Sequence, residues 1–112
     1  MLSKISLLGA IIFVVLLFWG GNQPEAAGLF QPPWDKMVHF MAFGIWALML
    51  WIGFEGRWPL LIILLVGCVG ALDEWRQTFL PGRTMSLGDF AMDMTAVVVV
   101  VGAMGIRAKL LK

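Results

Sequence analysis

Charge is what this chain has least of. Asp, Glu, Lys and Arg make up 13% of its 112 residues, against about a quarter in a soluble domain. A water-facing globular surface cannot be covered from so small a supply. Cysteine is nearly absent: Cys68 has no partner for an internal disulfide, and in its apolar run it reads as a small packing residue. The net charge of +1 offers no broad basic surface, so nucleic acid is not expected as a partner. No internal repeat, low-complexity tract or linker divides the sequence, and residues 1–112 read as a single domain. Hydrolase, transferase and metal-binding signatures are missing, and no Ser or Cys stands beside a base. Neither a metal nor a cofactor is therefore expected.

What is there is apolar: 61% of the residues, with a mean hydropathy of +0.91. These residues come in long blocks instead of at amphipathic spacing, which makes a bilayer the expected solvent. The spacing predicts an all-α integral membrane protein, four antiparallel transmembrane helices in one bundle, with spans near 5–21, 36–54, 58–77 and 87–106. The basic start, apolar block and small residues at Ala26, Ala27 and Gly28 also fit a cleaved signal peptide. An uncleaved first helix running to the interfacial Trp19 fits better. Gly20-Gly21-Asn22, Pro24, Pro32 and Pro33 then make an extended loop. Asp35 is well placed to cap the second helix, and Glu55-Gly56-Arg57 is long enough only for a tight turn. Trp19, Trp34, Trp58 and Trp75 fall at span ends as interface anchors, while Gly67, Gly70, Ala71, Ala91, Thr95 and Ala96 suit close helix packing.

Length counting makes the third helix informative. From Trp58 its uninterrupted apolar run reaches only Leu72, about 21 Å of helix, whereas crossing takes roughly 20 residues. The span therefore extends to Gln77 and draws Asp73 and Glu74 to membrane depth. Running back from Ile106 likewise puts Asp89 near the surface and Asp93 one turn deeper. The stretch from Asp73 to Asp93 holds four of the seven acidic residues. Charge at such depth costs about 2.5–3.5 kcal/mol per residue on insertion scales, so it needs partners. Lys4, Arg57, Arg107, Lys109 and Lys112 outweigh Lys36, Arg76 and Arg83 across the two faces, which predicts cytoplasmic termini. The first and third loops would then face outward.

In that topology the start of helix two, the end of helix three and the start of helix four meet at one level. Asp35, Lys36, His39, Glu74, Gln77, Arg83, Asp89 and Asp93 become candidate ligand-binding residues. Plainer roles stand beside these. Asp35 and Asp89 read equally as helix caps, Ser86 to Asp89 having capping-box spacing. Pro81-Gly82 suits a type II turn, and Arg76 and Arg83 suit topology-setting charges. Phe79 and Leu80 are expected to dip into the interface as the loop folds back on the bundle.

Asp35-Lys36-x-x-His39-Phe40, then Asp73-Glu74-x-x-Gln77-x-Phe79-x-Pro81-Gly82-Arg83 and Asp89, together resemble the VanZ-like family of small bacterial membrane proteins. The resemblance covers about residues 35–104. One position departs from it: the family pattern usually has Asn four residues after the last Asp, where this chain has Asp93. The resemblance implies a multi-pass protein of the bacterial cytoplasmic membrane. The family's name-giving member is linked to teicoplanin resistance; most others have no known function. The expected partner is a membrane lipid or lipid-linked envelope precursor, its phosphate met by Lys36, Arg76 and Arg83. A membrane enzyme is the alternative, with His39 and Asp35 as an acid/base pair and Glu74 and Asp93 sharing a proton or a divalent cation. A structural subunit of a membrane complex is a third.

Overall fold

The computed structural model describes residues 1–21, 34–79 and 87–111, with the backbone alone for residues 21, 34 and 35. Four helices account for nearly all of them: α1 (Leu2–Gly21), α2 (Trp34–Gly53), α3 (Pro59–Gln77) and α4 (Leu87–Leu110). There is no strand among the described residues. The expected first loop, the Pro81-Gly82 turn, Leu80, Ser86 and Arg83 lie outside them.

Helix ends follow local chemistry. Pro59 opens α3 at a position where its missing N–H is not needed. Trp51 O accepts from Gly56 N–H and Ile52 O from Glu55 N–H, the paired bonds of a Schellman stop. That stop puts Glu55 at φ 57° and Gly56 at φ 72°; glycine takes such a φ freely, and glutamate only with strain. α1 begins ahead of the expected residue 5 and α4 runs past the expected 106 to Leu110. The expected bounds counted only hydrocarbon thickness, whereas Arg107 and Lys109 sit in the last turn of α4, where cations suit the helix dipole. Asp35 falls inside the first turn of α2, not before it.

α2 packs on α1 and on α4, α4 packs on α3, and α2 touches α3 over a smaller area. Ser6 Oγ donates to Met49 O at 2.7 Å and Trp46 Nε1 to Ala10 O at 3.0 Å, tying the start of α1 to the end of α2. Between them Phe43, Trp46, Ile62, Val66 and Val97 form the buried core. The polarity is inverted relative to a water-soluble bundle. Ile11, Leu64 and Val98 are 61%, 62% and 55% exposed, while Asp93 and His39 are 0% and 1% exposed. Leu2–Gly20, Lys36–Gly53 and Leu87–Leu110 are long and apolar enough to cross a membrane. α3 differs by carrying Asp73, Glu74 and Arg76 in its last turns.

Candidate functional site

One end of the helix cluster concentrates the chain's buried polarity. His39, Asp73, Glu74, Gln77, Asp89 and Asp93 are all buried, and they come from α2, α3 and α4. Helical periodicity does the local work. Lys36 and His39 stand three apart on α2, Asp89 and Asp93 four apart on α4, and Asp73 and Gln77 four apart on α3, so each pair shares a face.

His39 is the centre. Its Nδ1 lies 2.8 Å from Asp93 Oδ1, a hydrogen bond in which the imidazole N–H donates to the carboxylate. Its Nε2 lies 3.7 Å from Asp89 Oδ2 and 3.9 Å from Glu74 Oε1. The imidazole is thus surrounded by three carboxylates, one on α3 and two on α4. Phe43, one turn further along α2, stacks on the ring at 5.9 Å between centroids and 11° between planes. A rotamer held by packing and by a carboxylate keeps Nε2 aimed the same way.

Among the described residues, two cations bound the cluster. Lys36 Nζ is 3.8 Å from Asp89 Oδ1, and its side chain is half exposed. Arg76 is hydrogen-bonded to Asp73 Oδ1 and lies over the Phe18 ring of α1, 4.9 Å from the centroid. Gln77 Nε2 donates to the other oxygen of Asp73 at 3.1 Å. Arg76 therefore spends its guanidinium on an internal pair instead of standing open for a phosphate.

Close packing makes this possible. A Cβ built on Gly70 would lie 3.0 Å from Asp93 Oδ2, and one on Gly67 would lie 3.4 Å from Met94 Sδ. The absent side chains let α4 approach α3 and bring Asp93 inside. A largely apolar cavity of about 210 Å³ is lined by Ala71, Glu74, Leu87 and Phe90. The opposite half of the molecule has a purely apolar cavity of about 310 Å³ between α1, α2 and α3, lined by residues such as Leu7, Trp46 and Leu65.

Of the expected site residues, Lys36, His39, Glu74, Asp89 and Asp93 come together. Gln77 joins through Asp73. The Asp35 side chain and Arg83 lie outside the described residues. Asp73 was not among the expected ligands, although its four-residue spacing from Gln77 signalled a shared face. Gly70 read as a packing residue, and nothing in the sequence tied it to Asp93. Phe79 is 71% exposed and meets Trp75 edge-on.

A family model described as VanZ/LLP1 matches residues 7–108. The match takes in most of α1, which the motif resemblance over residues 35–104 left out. No curated protein and no solved structure matches the chain.

Proposed function

The chain belongs to the VanZ/LLP1 family, and we propose that it is a four-span protein of the bacterial cytoplasmic membrane that binds the head group of an envelope lipid or lipid-linked cell-wall precursor. All four helices cross, antiparallel in order, with the termini in the cytoplasm and the polar cluster facing outward. α3 can cross because its charged last turns are paired: Asp73 with Arg76 and Gln77, Glu74 with His39.

The observation that carries the reading is the cluster itself. Six buried polar side chains meet at one end of apolar helices, at a depth where each charge costs about 2.5–3.5 kcal/mol. Ionisable groups kept at that cost mark a functional site by default. The slot lined by Ala71, Glu74, Leu87 and Phe90 is apolar enough to take part of a lipid chain, and Glu74 ties it to the polar cluster. Half-exposed Lys36, with Arg83 from the following loop, would meet a head-group phosphate, while Glu74, Asp89 and His39 would orient its hydroxyls. The link of the family's name-giving member to teicoplanin resistance fits a protein that occupies such precursors.

Protein in nanodiscs titrated with a fluorescent polyprenyl phosphate tests this. Saturable binding is expected, and Lys36→Ala and Arg83→Ala should each weaken it about tenfold, since a charge-assisted hydrogen bond is worth about 1.5–3 kcal/mol. Binding indifferent to both substitutions would overturn the reading. The His39–Asp93 pair favours a second one, a membrane enzyme in which Asp93 orients His39 as an acid/base. Turnover of the same lipid that is lost in His39→Ala while binding persists would select it.

A further inference from the structure

We propose that His39, Glu74 and Asp93 form a binding site for a divalent transition-metal ion of the zinc class. Each offers one ligand atom, a ring nitrogen or a carboxylate oxygen, and these atoms lie within 4.8 Å of one another. The three residues sit on three different helices, so no local sequence spacing announces the site. Zinc takes nitrogen and oxygen ligands at about 2.0–2.2 Å. Ligands at the corners of a tetrahedron of that size are about 3.4 Å apart, so side-chain movement of about an ångström would close the set.

A second, independent observation points to an ion. Asp93 is fully buried, yet its Oδ2 has no hydrogen-bond partner among the described residues. Its Oδ1 is taken by His39. A buried carboxylate oxygen without a donor is costly in a low-dielectric interior. That oxygen lies against the bare backbone of Gly70, and a turn of the carboxylate toward the cluster would bring it within reach of an ion and remove the cost.

The charges agree. Asp73 is met by Arg76 and Asp89 by Lys36, and Glu74 and Asp93 both face the imidazole. A divalent cation at His39 Nδ1 would take the place of the proton now given to Asp93, and so balance two carboxylates with neutral His39 as the third ligand. Asp89, 3.7 Å from His39 Nε2, is the next carboxylate available. A set containing imidazole favours zinc-like ions over magnesium or calcium, which prefer oxygen alone.

Three protein ligands leave a coordination position open, and the slot beside Glu74 is where a head-group phosphate oxygen would take it. This last step rests on the lipid-binding reading; the ion site does not. The experiment therefore measures the two separately. Detergent-purified full-length protein, stripped with chelator and dialysed against Zn²⁺ alone, is expected to retain one equivalent by elemental analysis and to melt at a higher temperature. Co²⁺ substitution should give visible d–d absorption, a readout that needs no variant. His39→Ala, Glu74→Gln and Asp93→Asn should each lower Zn²⁺ affinity at least about tenfold, while Lys109→Ala should not. Failure of the wild-type protein to retain Zn²⁺, with no shift in melting and no Co²⁺ spectrum, would overturn the proposal. Equal retention by all three ligand variants would do so too. Fluorescent polyprenyl phosphate is then added with and without Zn²⁺. Zn²⁺ bound without lipid leaves the ion site standing and removes the head-group reading; lipid bound without Zn²⁺ does the reverse.

Discussion

At the scale of single residues, the site turns on how tightly one carboxylate is enclosed. Asp93 is held by His39 on one side and by the bare backbone of Gly70 on the other. Gly70→Val would put its Cβ 3.0 Å from Asp93 Oδ2 and 3.5 Å from Phe90 Cδ1, with two methyl groups beyond. Overpacking of this kind costs about 1–3 kcal/mol. A lower melting temperature in detergent, together with loss of ligand binding at the polar end, is the expected outcome. Unchanged melting would mean that α3 and α4 are not as closely apposed as this. His39, Glu74, Asp89 and Asp93 were legible beforehand, because counting span lengths placed them at a common level. Asp73 was placed at that level too, but its part in holding Arg76 and Gln77 was not legible, because a side-chain pairing leaves no mark on hydropathy. The same pairing fixes Arg76, which the sequence reading set among the phosphate ligands, against Asp73.

At the scale of helices, block length was enough to find all four, and capping chemistry then set their ends. The apolar blocks say little about which faces meet. Gly53 and Gly102 look alike in sequence and differ completely in place. A Cβ on Gly53 would come within 2.5 Å of Leu7 Cδ2 and 3.3 Å of the Leu7 backbone nitrogen, whereas one on Gly102 would meet nothing within 4 Å. Gly53→Ala should therefore push α1 from α2 and destabilise the protein by about 1–3 kcal/mol. Gly102→Ala should stabilise α4 by about 0.5–1 kcal/mol, since alanine loses less backbone freedom than glycine in a helix. Denaturation of the two variants side by side gives opposite signs if the α1–α2 contact is as close as the Ser6 and Trp46 hydrogen bonds indicate.

At the scale of the whole molecule, the open quantity is direction across the membrane. Lys4, Arg57, Arg107, Lys109 and Lys112 against Lys36, Arg76 and Arg83 predict cytoplasmic termini. A fluorescent reporter fused after Lys112 should then be active, and a periplasmic phosphatase fused after Phe79 should be active as well. An inactive phosphatase at Phe79 would place the end of α3, and the cluster with it, on the cytoplasmic side. Composition alone determined that the chain is helical and suited to a bilayer, since apolar blocks of this length have no other way to satisfy their backbone. Counting residues also picked out which charges would lie at membrane depth in a four-span chain. Only the tertiary structure decided which charge answers which. Partners 54 residues apart, as His39 and Asp93 are, meet through helix packing, and packing depends on small side chains such as Gly70 that carry no polarity to read. That apposition turns a set of isolated buried charges into one enclosed site.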